Sequence, residues 1–210
     1  MALPGPVPFT VPLPTWFPLR WQLEDGLHGT TPLPWCSGGW YAGALREQLL
    51  ALRRGATGGW DQLPVDALLL AMASLNLPSS TGTTLLLVPI PSGQRRPNPL
   101  PLQLAQHLAQ RLMAAQSCQL KPELLQRRCR LAAQHRLGRR QRWRNQWLSF
   151  RALLAPARDA GTALLVDDVL TSGATALAAR HALEIAGWNV AGLLCLARTP
   201  RQQSSSRGRA

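Results

Sequence analysis

The chain has 210 residues and a formal net charge of +13, from 23 basic residues against 10 acidic ones. That length suits one domain with appendages and a sizeable core, and the charge favours an anionic partner: nucleic acid, a nucleotide or an anionic membrane. No apolar run approaches the ~18 residues of a membrane span, and the four scattered cysteines (Cys36, Cys118, Cys129, Cys195) include no Cys-x-x-Cys pair, so no membrane span, disulfide framework or zinc site is expected.

In chain order, residues 1–35 hold eight prolines and three tryptophans, Trp16, Trp21 and Trp35. Proline at that density opposes helix and sheet, so an extended arm over 1–39 is expected, its tryptophans docked on a partner or on the chain's own core. The first charged residue is Arg20, which argues against a secretory leader and for a cytoplasmic protein. Leu45, Leu49 and Leu52 give a helix over Tyr41–Arg53 ending toward Gly55, and Leu68, Met72 and Leu75 a second over Pro64–Leu75. A turn at Ser79–Gly82 leads to a buried strand, Thr84–Ile90, and then to a loop, Ser92–Pro101, that carries Arg95 and Arg96. Leu104, Leu108 and Leu112 mark a helix running to about Gln116.

From Leu124 to Arg158 there are ten arginines and no acid, a local charge of +10, with weak periodicity from Gln126 to Arg140. Trp143, Trp147 and Phe150 follow at helix-like spacing. Localised charge of this kind suits a polyanion: Arg128, Arg130, Arg136, Arg139, Arg140, Arg142 and Arg144 would follow a phosphate backbone while Trp143 stacks on a base.

The most informative stretch comes next. Thr162–Val166 reads as a strand buried on both faces of a parallel sheet, with Asp167 and Asp168 at its carboxyl end. Thr171, Ser172, Gly173, Ala174 and Thr175 follow, and a helical pattern runs from Ala176 to Ala186 with Gly187 as its cap. Ligands of open α/β sheets sit outside the carboxyl ends of strands, and a helix start there offers N–H groups and a positive dipole end. Two carboxylates beside a hydroxyl-rich glycine loop suit a phosphorylated sugar: hydroxyls or Mg²⁺ on the acids, phosphate on the loop. The chain has neither G-x-x-x-x-G-K-[ST] nor G-x-G-x-x-G. A strand over Asn189–Leu196 and a Ser/Gln/Arg tail complete the chain, the tail over 199–210 expected to be disordered. Alternating strands and helices predict an α/β fold with a mainly parallel sheet flanked by helices.

Leu164-Leu165-Val166-Asp167-Asp168-Val169-Leu170-Thr171-Ser172-Gly173-Ala174-Thr175 resembles the phosphoribosyl-pyrophosphate signature of type I phosphoribosyltransferases. Three further blocks resemble the ComF/GntX-like branch. These are Tyr41, Gly43, Arg46 and Leu52-Arg53; Val88-Pro89-Ile90-Pro91; and Arg128-x-Arg130, Gln134, Leu137, Arg139, Arg142, Asn145 and Phe150. The resemblance covers about residues 40–198, which it implies are a phosphoribosyltransferase-like domain.

It implies that Asp167 and Asp168 engage the ribose 2′- and 3′-hydroxyls, directly or through Mg²⁺, and that Thr171–Thr175 binds the 5′-phosphate. Arg95 and Arg96 would meet a pyrophosphate. The implied ligands are phosphoribosyl pyrophosphate or a nucleotide phosphate, with Mg²⁺ as the cofactor. The ComF branch further implies work on single-stranded DNA in natural transformation, alongside a DNA helicase of the ComF operon. The alternative is an active phosphoribosyltransferase of nucleotide metabolism or salvage.

The chain departs from its relatives in three ways. A Pro/Trp arm stands where they carry a cysteine-rich zinc module, so no zinc is expected. Arg96-Pro97-Asn98-Pro99-Leu100 replaces their Arg-Gly-aromatic-Asn-Gln, stiffening the loop and removing two N–H donors. The middle block is richer in arginine than one phosphorylated sugar requires. Thr171, where some purine enzymes place an acid, cannot act as a base at neutral pH, and no catalytic residue is assigned.

Overall fold

The structure, a computed structural model, describes residues 23–75, 77, 83–93, 97–113, 117–128, 149–157 and 161–200. Two nine-residue strands, β7 (Thr162–Leu170) and β8 (Val190–Arg198), form the middle of the main sheet. They run parallel, and β3 (Leu85–Pro89) lies parallel to β7 on its other side, from Leu85 opposite Thr162 to Pro89 opposite Val166. With β1 (His28–Gly29), β2 (Trp35–Ser37) and β4 (Cys118–Leu120), the six-stranded order is β1-β2-β8-β7-β3-β4, parallel except for the edge strand β1. The expected α/β architecture with a mostly parallel sheet is present.

Two crossovers explain the arrangement. Helix α3 (Leu100–Leu112) carries the chain from β3 outward to β4, and α4 (Ala174–Ile185) carries it from β7 the opposite way to β8. Parallel crossovers are right-handed, so crossovers running in opposite directions put their helices on opposite faces of the sheet. Leu104 and Leu108 of α3 accordingly share a core with Leu85, Leu87, Leu164 and Val166, whereas Leu177 and Leu183 of α4 share one with Leu86, Val88, Ala163 and Leu165. Alternate residues of one strand feed the two cores, which is why these strands are apolar throughout. Helices α1 (Gly43–Arg53) and α2 (Val65–Met72) cover the α3 face through Leu49, Leu52, Val65 and Leu68. A two-stranded antiparallel ribbon, β5 (Leu125–Arg127) with β6 (Phe150–Ala152), covers the α4 face.

Several boundaries differ from expectation. The strand at Thr162 continues four residues past Val166, because β8 goes on pairing with it as far as Leu170 opposite Arg198. The segment 1–39 is not wholly an arm. Trp35 is fully buried, and Trp35–Ser37 pairs in parallel with Leu193–Cys195. Gly192 admits this neighbour, since a Cβ there would lie 2.9 Å from the Pro34 carbonyl oxygen, which accepts the Leu193 N–H at 2.9 Å. Phe150 sits in β6 rather than in a helix, as three-residue strands are too short to show a period.

Arg198 also belongs to the sheet and is only 2% exposed. Its guanidinium lies 4.7 Å from the Trp35 ring and 5.4 Å from the Trp40 ring and donates to the Gly26 carbonyl. Cation–π contact and a carbonyl acceptor let the charge be buried there.

Helix α4 ends as its sequence promised. Gly187, at φ 94°, donates to Glu184 O at 2.9 Å, and Trp188 donates to Leu183 O at 3.0 Å, a Schellman pair sealed by Leu183 and Trp188 in one core. The same helix buries His181, 8% exposed. Burial lowers its pKa from 6.5 to about 4. Between those values the unfolded imidazole takes a proton that the folded one refuses, so acid favours unfolding. A shift from 6.5 to about 4 corresponds to on the order of 3 kcal/mol, lost as pH falls through that window. Urea unfolding at pH 7 and pH 4.5 should show His181→Leu losing correspondingly less stability than the parent chain.

Candidate functional site

The reversal of strand order falls between β3 and β7, the place where open α/β sheets hold ligands. The last β3 pair is Pro89 opposite Val166, closed by the Ile90 N–H on Val166 O at 2.9 Å. Beyond it β7 runs on beside β8 alone, and its next two residues are Asp167 and Asp168. The acids therefore stand where β7 first loses a neighbour, at the mouth of a crevice.

Asp168 is tied from two sides. Its Oδ2 accepts Arg53 Nε at 2.8 Å, Arg53 Nη2 at 2.7 Å and Asn98 Nδ2 at 2.7 Å. The side chain of Asp168 is 4% exposed and that of Arg53 33%. Arg53 is the last residue of α1, brought here as Leu49 and Leu52 bury the helix against the sheet. Asn98 is held just as firmly: its N–H donates to Ser92 Oγ at 2.8 Å and its Oδ1 accepts the Leu100 N–H at 3.2 Å. That acceptor role fixes the amide orientation, leaving the NH₂ for the carboxylate. Pro97 and Pro99 restrict the backbone on either side, so the prolines that remove two donors also hold Asn98 in place.

Asp167 is half-buried. One oxygen, Oδ1, accepts the Asp168 N–H at 2.9 Å. Burial, and then the neighbouring Asp168 charge, hold its carboxyl well above the usual carboxylate range.

Thr171 and Ser172 are exposed, and Gly173, buried at φ 71°, turns the chain into α4. A positive φ is cheap only for glycine, which is why this residue stands here. No side chain caps the helix at Gly173 and its first turn holds no acid. Ala174 is buried and Thr175 half-buried in that turn. Such a start favours an anion through its dipole and N–H groups. Thr171 Oγ1 lies 3.2 Å from Thr199 Oγ1, and the Thr199 N–H donates to Leu170 O at 2.9 Å, so the chain leaving β8 supports the loop.

The structure thus places Asp167 and Asp168 just past the last β3 pair of β7, and Thr171–Thr175 at the turn from β7 into α4. Arg95 and Arg96, and Arg130, Arg136, Arg139, Arg140, Arg142, Trp143 and Arg144, lie outside the described residues, as do Trp16, Trp21, Trp147 and the tail from 201. Arg128 is described: its N–H donates to Ser149 O at 2.7 Å. Arg127 beside it lies 5.1 Å from the Phe150 ring and donates to Pro91 O at 3.4 Å, joining β5 to the loop after β3.

Arg53, Asn98 and Arg127 are the residues of this region that composition and spacing do not single out. Arg53 is visible only in the Leu52-Arg53 resemblance, and Asn98 only as the polar residue between two prolines. Among the described residues no helix is long and apolar enough to cross a membrane.

Fold and site together define a class: an α/β protein with a mostly parallel six-stranded sheet flanked by helices and an acidic pair at its switch point. The chain matches no protein-family model and no curated protein sequence.

Proposed function

We propose that the chain is a type I phosphoribosyltransferase-like protein of the ComF/GntX-like branch, whose crevice binds a 5-phosphoribosyl group or a nucleotide 5′-phosphate and which assists single-stranded DNA uptake and processing in natural transformation. The observation that carries the ligand class is the exposed Thr171-Ser172 pair and Gly173 at an uncapped helix start, with Asp167 beside them at the switch point. Phosphate on the loop and sugar hydroxyls on an acid are complementary to that arrangement.

The DNA role rests on the charge of +10 carried by ten arginines over Leu124–Arg158. Its structural support is that Arg127, within that window, donates to the Pro91 carbonyl, so one of these arginines reaches the loop that follows β3. A DNA helicase of the ComF operon is the proposed companion. If the crevice instead turns over phosphoribosyl pyrophosphate, catalysis is by positioning and charge stabilisation of the leaving group, since Thr171 stands where some purine enzymes place their acidic base.

For the DNA role, log K for oligo-dT should fall linearly with log salt, at about −0.7 per phosphate contacted. Arg139→Glu with Arg142→Glu should weaken binding and flatten that slope. Binding that ignores salt, or none, would remove the DNA role and leave the sugar-phosphate site standing.

A further inference from the structure

The adjacent acids are engaged differently. All three donors to Asp168 converge on Oδ2, and one of the two residues that supply them is a guanidinium. A magnesium ion on this carboxylate would share it with a cation whose nitrogen is 2.7 Å from the same oxygen. Magnesium also keeps several of its waters and demands near-octahedral oxygen geometry, whereas the Asp168 side chain is 4% exposed. Its charge is already matched by Arg53, and Oδ2 is taken by Arg53 and Asn98. Asp167 accepts the Asp168 N–H on Oδ1 and is half-buried, more open than Asp168.

We infer that Asp168 is a positioning residue tying α1 and the loop after β3 to β7, that Asp167 alone receives the ligand's hydroxyls, and that the site holds a sugar phosphate without a magnesium ion chelated by the acidic pair. The ligand in this statement rests on the proposed sugar-phosphate site; the tie and the missing chelate rest on the donor set alone. The Mg²⁺ implied for Asp167 and Asp168 by resemblance does not fit the residues as they are arranged. Ions that enter with a pyrophosphate group, on the ligand's own oxygens, are a separate matter, so the decisive ligand is one without pyrophosphate.

The test titrates magnesium chloride alone into the full-length chain, by calorimetry and by melting. The expected result is no saturable binding and no specific rise in melting temperature. Arg53→Met, which removes the competing cation, should gain a magnesium-dependent rise, while Arg53→Lys, which keeps a cation there, should not. Ribose 5-phosphate should then stabilise the parent chain equally in magnesium and in EDTA.

Saturable magnesium binding to the parent that Asp168→Asn abolishes would overturn the inference, and so would stabilisation by ribose 5-phosphate only when magnesium is present. If ribose 5-phosphate stabilises in neither buffer, the sugar-phosphate function falls, while the metal titration still decides for or against the tie.

Discussion

Arg53→Met should destabilise the chain by about 3 kcal/mol, and Asp168→Asn by roughly half as much, although the two substitutions break the same ion pair. The asymmetry follows from exposure. Removing Arg53 strands a carboxylate that is 4% exposed, with Asn98 left as its side-chain donor among the described residues. Removing the carboxylate charge leaves a guanidinium that is one-third exposed and can turn to water. Breaking a buried pair is costly mainly through the partner left behind, so the more buried survivor sets the larger cost. The double variant Arg53→Met/Asp168→Asn should lose less than the sum of the single changes, since neither leaves an unpaired charge once the other is made. Equilibrium urea unfolding of the four proteins checks this. Equal single costs that simply add would mean that the observed pair carries no coupling.

Gly173→Val should lower affinity for ribose 5-phosphate by about 100-fold, equivalent to about 2.8 kcal/mol of binding free energy. Gly173 has φ 71°, a region that a β-branched residue adopts only under strain. The valine chain relieves that strain by rotating the backbone at the entry to α4, which carries the first-turn N–H groups away from the phosphate. Gly173→Asn tolerates positive φ and should keep more of the affinity, which separates a conformational requirement from a simple need for a missing side chain. A valine variant that binds like the parent would show that the loop amides do not hold the phosphate.

Much of this architecture was legible from local pattern. The apolar runs at Leu85 and Thr162, and the leucine spacings of α1 and α3, report burial on two faces or on one stripe, which are properties of neighbouring residues alone. The glycine turn from β7 into α4 was legible for the same reason: acids, hydroxyls and glycine stand within nine positions, 167–175.

What was hidden depends on distant partners. Arg53 meets Asp168 across 115 positions and Asn98 meets it across 70, so neither residue looks unusual in its own surroundings. Two equivalent acids were therefore expected where the structure has one tied and one half-buried. β2 escaped notice because prolines at 32 and 34 precede it and its partner, β8, is more than 150 residues away. Arg198 lies two residues past the strand expected over Asn189–Leu196, and arginine seldom enters a core, yet the rings of Trp35 and Trp40 receive its guanidinium.

The central claim is that the crevice between β3 and β7 holds a phosphoribosyl group on Asp167 and the Thr171–Thr175 loop. Its most direct test is the melting temperature of the full-length chain with saturating ribose 5-phosphate or phosphoribosyl pyrophosphate, beside Asp167→Asn under the same conditions. The predicted result is a rise with each ligand in the parent that disappears in Asp167→Asn, while the two ligand-free proteins melt close together. No rise in the parent at saturating concentrations of either ligand, or an equal rise in Asp167→Asn, would contradict it.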